Sequence, residues 1–161
     1  KALRELRDAG LIEKLPCLHL VQAAAVDPIA QAFRTGADSV EFITPNDTVA
    51  FSISNGSPPS GNRALRAARG TNGTVTSVSE AAIKEATRRL ASDVGISAEP
   101  SSAVTLAGLN KLSEAGEITH NDEVVAIVTG TGFKESEVDI DVSTTDIDLA
   151  DLNKSLEEIA V

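Results

Sequence analysis

A hydroxyl side chain and two glycines follow an apolar run in the sequence VVAIVTGTG. The apolar run at residues 124–128 predicts a buried strand, and Thr129 and Gly130 then lie at its carboxyl end. In open α/β sheets, ligands bind beyond this end of the strands. A threonine hydroxyl offers one neutral hydrogen bond, and glycines let a flat ring approach the backbone. The pattern suits a heterocycle whose nitrogen needs a neutral partner, but the spacing also allows a plain turn at Gly130 and Gly132.

Other kinds of chemistry have less support in the sequence. Cys17 is the only cysteine and the two histidines lie about a hundred residues apart, so we expect no metal site. The alternate carboxylates at residues 135–141 lack the glycine and final glutamate of a calcium loop, which favours a solvated strand face. No G-x-S-x-G is present, and Ser101 and Ser102 are expected to cap backbone donors at a helix start. Without a Walker loop or a complete G-x-G-x-x-G, nucleotide binding is a minor alternative.

The composition indicates a soluble globular protein. The 161 residues are 42% hydrophobic and 24% charged, with a net charge of −10. The negative charge repels phosphates and anionic lipids, so neither nucleic acid nor membrane is an expected partner. No apolar run approaches the roughly 18 residues of a membrane span and no signal peptide opens the chain, so we expect a cytoplasmic location. The acidic surface with few lysines also suits the salt-rich cytosol of a halophile.

Predicted strands and helices alternate along the chain. Apolar strands are predicted at residues 17–21, 48–54, 73–76 and 124–128, with His19 as a core residue inside the first. Helices are predicted over residues 1–9, from Pro28 to Gly36, over 63–69, from a cap at Ser77 or Ser79 to Gly95, and over 101–116. This order predicts an α/β fold, with an open, largely parallel sheet and helices on both faces.

The chain is expected to contain a body and a tail. Residues 1–135 form the predicted α/β body, and residues 136–161 form an acidic extension with one strand and one helix. The apolar stripe of that helix is expected to pack on the body or on a partner subunit of a homo-oligomer. The chain has no methionine and opens on what reads as the middle of a helix, which suggests a piece of a longer protein.

Four segments, taken together, resemble the threonine synthase family. VTGTGFK, at residues 128–134, resembles the strand-end motif of that family, and residues 99–116 resemble its helix after Glu-Pro. Residues 5–28 are similar to the segment that follows its phosphate-binding loop. Residues 52–83 take the place of its Ile-Gly-Asn-Pro loop and the βα unit that follows. The resemblance runs in the right order over residues 1–134.

The resemblance implies the C-terminal half of a fold-type II catalytic domain that uses pyridoxal 5′-phosphate. Such enzymes convert O-phospho-L-homoserine and water into L-threonine and phosphate, which implies an amino-acid substrate. Thr129 would hydrogen-bond the pyridine nitrogen of the cofactor, and Gly130 would shape the floor beside it. The other residues that the resemblance places at the cofactor are Ser54, Asn55 and Gly56, against the ring, and Glu99 and Ser101, in the pocket wall.

The resemblance also implies what this chain lacks. In the family, the lysine that binds the cofactor and the phosphate-binding loop lie upstream, so we expect no catalytic residue here and no activity of the chain alone. A threonine dehydratase-like or other fold-type II lyase is the alternative within the fold. An alternative of another class is a non-catalytic half-domain that binds a protein partner through its acidic C-terminal helix.

Overall fold

A computed structural model describes residues 1–134 of the chain. Its helices are α1 (Ala2–Asp8), α2 (Pro28–Thr35), α3 (Gly61–Arg69), α4 (Glu80–Val94) and α5 (Pro100–Glu114). Its strands are β1 (Leu20–Ala23) and β2 (Val75–Val78), and short 3₁₀ turns occupy Phe51–Ile53 and Gly132–Lys134. The predicted extension at residues 136–161 and the alternate carboxylates at residues 135–141 lie outside the described residues.

The two strands form a parallel sheet with helices on both faces. Leu20 is opposite Val75, and Ala23 is opposite Val78. On the face covered by α2 and α3, the buried residues are Ile29, Ala30, Ala32, Leu65, Ala68 and Val75. On the face covered by α4 and α5, they include Ala23, Val78, Ile83, Ala86, Leu90, Ala103, Val104 and Ala107. The predicted α/β class, with a parallel sheet between helices, is confirmed.

Helix α2 begins where the sequence predicts, but the cap comes from another element. Pro28 occupies the first turn, and Asp27 has the N-cap position without capping the helix through its side chain. Instead, the side-chain oxygen of Gln22 in β1 accepts the amide hydrogens of Ile29 and Ala30, at 2.9 and 3.0 Å. This buried amide therefore ties the start of α2 to the sheet.

Helix α4 is capped by Ser79 and not by Ser77. The Ser79 hydroxyl accepts the amide hydrogen of Ala82 at 3.2 Å, whereas Ser77 lies inside β2. Ser77 and Glu80 have the spacing of a capping box, but no such box forms, because Ser77 lies in β2 and the Glu80 carboxylate accepts the amide hydrogen of Val49 at 2.8 Å.

The predicted strand at residues 48–54 is wrong. The segment contains a 3₁₀ turn, and Phe51 is 81% exposed. The amide of Ser52 donates to the hydroxyl of Ser101 at 3.1 Å, and the amide of Ile53 donates to the carbonyl of Ala50 at 3.1 Å. Since side chains and local turns take up these donors, they are not available for a sheet ladder.

The apolar run at residues 124–128 is also not a strand in the described structure. Val125 is 83% exposed and Ile127 is 66% exposed. Within residues 1–134 the sheet contains β1 and β2, which pair with each other and not with this run. The pattern predicted burial, but burial of a strand requires neighbours on its edges and faces, and the described residues place none there.

The prediction that His19 is a core residue is wrong. His19 precedes β1, is exposed, and has Nδ1 2.9 Å from the hydroxyl oxygen of Thr74. Among the described residues, none of the helices combines the length and apolar character that crossing a membrane requires.

Candidate functional site

Helix α5 directs its first turn to the carboxyl end of the sheet. Gly108 packs so closely on Val21 of β1 that a side chain at Gly108 would overlap it. Leu112 lines a cavity together with Thr74, which precedes β2. The helix thus runs antiparallel to the strands, and its first residues lie beyond their carboxyl ends. This is the end at which α/β proteins bind ligands.

The TGTG segment, residues 129–132, is held beside the start of α5 by backbone pairing. Ala98 and Thr131 form an antiparallel bridge. The amide of Glu99 donates to the carbonyl of Gly130 at 3.2 Å, and the amide of Gly132 donates to the carbonyl of Ser97 at 2.9 Å. These two hydrogen bonds fix Thr129 and its neighbours relative to the first turn of the helix.

Ser102 is the side chain on which the segment is anchored. It is 1% exposed, in the first turn of α5. Its hydroxyl oxygen accepts the amide hydrogens of Thr129 at 3.2 Å and of Gly130 at 2.7 Å. The same oxygen lies 3.1 Å from the hydroxyl oxygen of Thr129, which is itself on an exposed residue. One buried hydroxyl therefore orients both the backbone and the side chain of Thr129.

Gly130 leaves room for the side chain of Glu99. A side chain at Gly130 would overlap the Glu99 carboxyl group, and a side chain at Gly132 would come close to the hydroxyl of Ser97. Both glycines therefore permit close packing between the TGTG segment and residues 97–99. The carboxyl of Glu99 therefore lies beside Gly130, the residue that follows Thr129.

The loop at residues 54–56 is connected to the same helix turn. The hydroxyl of Ser101 accepts the amide hydrogen of Ser52 at 3.1 Å. Further along, the carbonyl of Gly56 accepts the amide hydrogen of Ile43 at 3.1 Å, and a side chain at Gly56 would overlap the Ile43 carbonyl. The side chain of Asn55 caps the amide of Ser57 at 2.8 Å.

The structure thus brings the two predicted parts of the site to adjacent residues of one helix. Ser101 holds the segment that leads into Ser54, and Ser102 holds Thr129 and Gly130. Glu99, which immediately precedes α5, lies against Gly130. Asn55 and Gly56 follow Ser54 in the same loop.

Ser102 was not among the site residues predicted from the sequence. Two adjacent serines after Glu-Pro predict hydroxyls that cap backbone donors, and both serines do so. Their donors lie far away in the sequence, with Thr129 27 positions after Ser102. Local patterns could therefore indicate the capping role of Ser102 but not its partner.

The chemistry available at this site is neutral hydrogen bonding next to one carboxylate. Thr129 presents a hydroxyl at the surface, and Glu99 contributes the carboxylate. Among residues 1–134, no group of three or more His, Cys, Asp or Glu side chains is arranged to hold a metal ion. The arrangement suits a ligand with a ring nitrogen that forms one hydrogen bond with a neutral partner.

Comparisons with known proteins identify the family of the chain. A family model described as pyridoxal-phosphate dependent enzyme matches residues 2–130. Threonine synthase from Methanosarcina acetivorans is 37% identical over 142 residues, which are 88% of this chain and 35% of that protein. Threonine synthase from Methanocaldococcus jannaschii is 36% identical over 155 residues, 95% of this chain and 38% of that protein. The chain therefore spans little more than a third of the length of these relatives.

A solved structure supports the fold. The L-serine ammonia-lyase from Rhizomucor miehei superposes with a TM-score of 0.60, at 19% identity, over 98% of this chain and 45% of that one. At that identity, the likeness bears on the fold alone.

Proposed function

The chain belongs to the pyridoxal-phosphate dependent enzyme family, and from that premise we propose that it is the C-terminal part of a threonine synthase. The reaction is the conversion of O-phospho-L-homoserine and water into L-threonine and phosphate. Identities of 37% and 36% with two threonine synthases, over 88% and 95% of this chain, support this choice. The observation that supports the assignment of the site is the exposed Thr129 hydroxyl, which Ser102 orients next to the start of α5, beyond the carboxyl ends of β1 and β2.

The residues beside the start of α5 fit the cofactor. A pyridine nitrogen accepts a hydrogen bond when it is neutral, and Thr129 can donate one. The lack of a side chain at Gly56 lets the loop pack closely on the Ile43 carbonyl, and this packing would hold Ser54 and Asn55 in place. Thr129 would bind the ring nitrogen, Gly130 would let Glu99 close the floor, and Ser54, Asn55 and Ser101 would line the ring from the other side.

The work of this chain is positioning. When bound, pyridoxal phosphate supplies an electron sink that stabilises a carbanion on the substrate. Thr129 orients the ring, Gly130 and Glu99 set its distance from the backbone, and Ser101 holds the loop that carries Ser54. We propose that the lysine that binds the cofactor and the loop that binds its phosphate belong to the part of the full-length protein that this chain does not span. The 161-residue chain alone is therefore expected to be inactive.

The remaining parts of the proposal concern setting and partners. The substrate is a small amino acid, and the location is cytoplasmic. The net charge of −10 supports a cytosol with high salt, where ions screen the repulsion between carboxylates. A homo-oligomer is also proposed.

Two alternatives predict different behaviour. A threonine dehydratase-like enzyme would release ammonia from L-threonine. A non-catalytic half-domain, which binds a protein through the acidic helix, would turn over neither substrate. The threonine synthases matched at 36–37% identity favour the first proposal over both.

The test is an assay of the full-length protein, meaning the product of the gene that encodes this chain, after incubation with pyridoxal phosphate. Phosphate and L-threonine should form in equal amounts from O-phospho-L-homoserine. Ammonia release from L-threonine without phosphate release from phosphohomoserine would replace the proposal with the dehydratase. Absence of both reactions, in a protein that is folded, would favour the half-domain.

A further inference from the structure

Ser102 makes three contacts with the TGTG segment, and the number of lone pairs on its oxygen fixes their direction. A serine oxygen has two lone pairs and one hydrogen. The amides of Thr129 and Gly130 are donors, at 3.2 and 2.7 Å, and they occupy both lone pairs. In the third contact, 3.1 Å from the Thr129 hydroxyl oxygen, Ser102 must therefore be the donor.

This direction determines what Thr129 can offer to a ligand. Its oxygen accepts the hydrogen of Ser102, so its own hydrogen does not point at Ser102. Thr129 is exposed, and its hydrogen is free to point toward the solvent side. The pair therefore presents a hydrogen-bond donor beyond the strand end, which matches an acceptor such as an unprotonated ring nitrogen.

We propose that Ser102 is a positioning residue that makes the Thr129 hydroxyl a donor and thereby keeps the ring nitrogen of the cofactor unprotonated. This inference rests on the proposed function, in which Thr129 faces that nitrogen. Without Ser102, Thr129 can rotate and accept a hydrogen bond from a protonated ring nitrogen, so protonation becomes easier.

Glu99 would have the opposite effect on protonation of the ring nitrogen. Its carboxylate lies beside Gly130 and would favour a protonated, positively charged ring. The segments that hydrogen-bond to one another here, residues 52–54, 97–98, 101–102 and 129–132, contain no titratable side chain in their sequence. Ser102 and Glu99 are therefore the side chains to compare, and Glu99→Gln should lower the pH at which the ring nitrogen protonates.

The experiment uses the full-length protein loaded with pyridoxal phosphate that carries ¹⁵N in the ring. The ¹⁵N chemical shift, followed against pH, reports protonation of the ring nitrogen independently of turnover. Ser102→Ala should raise the midpoint of protonation by about one pH unit, the effect expected when one hydrogen bond is lost or reversed. Thr87→Ala is the matched control, because it removes another buried hydroxyl, which donates to the Ile83 carbonyl within α4. It should leave the midpoint unchanged.

Thr129→Val separates this inference from the proposed function. A midpoint that changes in Thr129→Val but not in Ser102→Ala overturns the role of Ser102 and leaves Thr129 at the ring. A midpoint that changes in neither variant overturns both the role of Ser102 and the contact between Thr129 and the ring nitrogen. A shift in Thr87→Ala equal to that in Ser102→Ala also overturns the inference, since any lost buried hydroxyl would then have the same effect.

A second measurement does not depend on a variant that folds. Neutron diffraction from crystals of the deuterated, cofactor-loaded protein locates the hydroxyl deuterons. We expect the deuteron of Ser102 on the line toward the Thr129 hydroxyl oxygen. A Thr129 deuteron that points to Ser102 instead would contradict the proposal.

Discussion

The hydroxyl oxygen of Ser102 lies 3.1 Å from that of Thr129 and 2.7 Å from the amide nitrogen of Gly130. The contact between the two hydroxyls joins the buried start of α5 to Thr129, the exposed first residue of the TGTG segment. The same helix turn holds the loop before Ser54 through Ser101. The candidate cofactor site is thus organised around two consecutive serines, and each one satisfies backbone donors that lie far away in the sequence.

Replacement of Thr129 by valine tests the ring contact. Thr129→Val keeps the shape of the side chain and removes its hydroxyl. In the full-length protein we expect cofactor affinity to fall about fivefold, corresponding to roughly 1 kcal/mol for one hydrogen bond. Thr131→Val is the control, because Thr131 is two residues away, is also exposed and pairs with Ala98 through its backbone. Equal effects of the two changes on the dissociation constant would count against a specific role for Thr129.

Ser79→Ala tests the cap of α4. The variant loses the hydrogen bond from the Ala82 amide, and we expect the free energy of unfolding to fall by about 1 kcal/mol. Ser77→Ala is the control, since the sequence allowed either serine to be the cap and the structure places Ser77 in β2. Urea denaturation of the full-length variants measures the difference. A larger loss for Ser77→Ala would show that the cap is wrongly assigned.

Gly108→Ala tests how closely α5 packs on the sheet. Alanine favours a helix by about 1 kcal/mol over glycine. The new methyl group would, however, overlap both methyl groups of Val21, and overpacking typically costs about 1–3 kcal/mol. We expect a net loss of stability in urea denaturation. Ser113→Ala, at an exposed position of the same helix, should be neutral or slightly stabilising. A Gly108→Ala protein as stable as the Ser113→Ala protein would contradict the packing.

The carboxyl group of Asp122 is expected to contribute to stability at neutral pH and to lose that contribution at acid pH. The amide and the hydroxyl of Thr119 donate to it at 2.8 Å each, and these hydrogen bonds, with a smaller contribution from His120, hold the pKa of Asp122 below its usual value. A lowered pKa in the folded state means a contribution to stability that is present above the unfolded pKa. That contribution is lost as pH falls through the folded pKa. Carboxyl ¹³C chemical shifts measured against pH give the pKa directly. A pKa of Asp122 at or above the usual value for an aspartate would refute the turn geometry.

Some parts of this structure can be predicted from local sequence and others cannot. The ends of α2 and α4 follow from glycines, because Gly36 and Gly95 adopt left-handed conformations, at φ 72° and 70°. The place of Thr129 at a cofactor stays a prediction, because the apolar run at 124–128 from which it was inferred is not a strand in the described structure. The fold class followed from alternating strands and helices, and the structure confirms it.

The errors have a common physical cause in long-range contacts. Residues 48–54 have a strand-like composition, but Glu80 and Ser101 take up their amides from elsewhere in the chain. The run at 124–128 has the composition of a buried strand, yet burial depends on neighbours that the pattern does not specify. Ser102 looked like an ordinary capping residue because its partners, Thr129 and Gly130, are 27 and 28 positions away.

The most direct test of the central claim changes the ligand and the protein together. The full-length protein and its Thr129→Val variant are each titrated with pyridoxal phosphate and with its 1-deaza analogue, in which carbon replaces the ring nitrogen. If Thr129 donates to that nitrogen, the unmodified protein prefers pyridoxal phosphate by about fivefold, and the preference disappears in Thr129→Val. The same preference in both proteins would contradict the contact, and Thr129 would then have no part in recognising the ring.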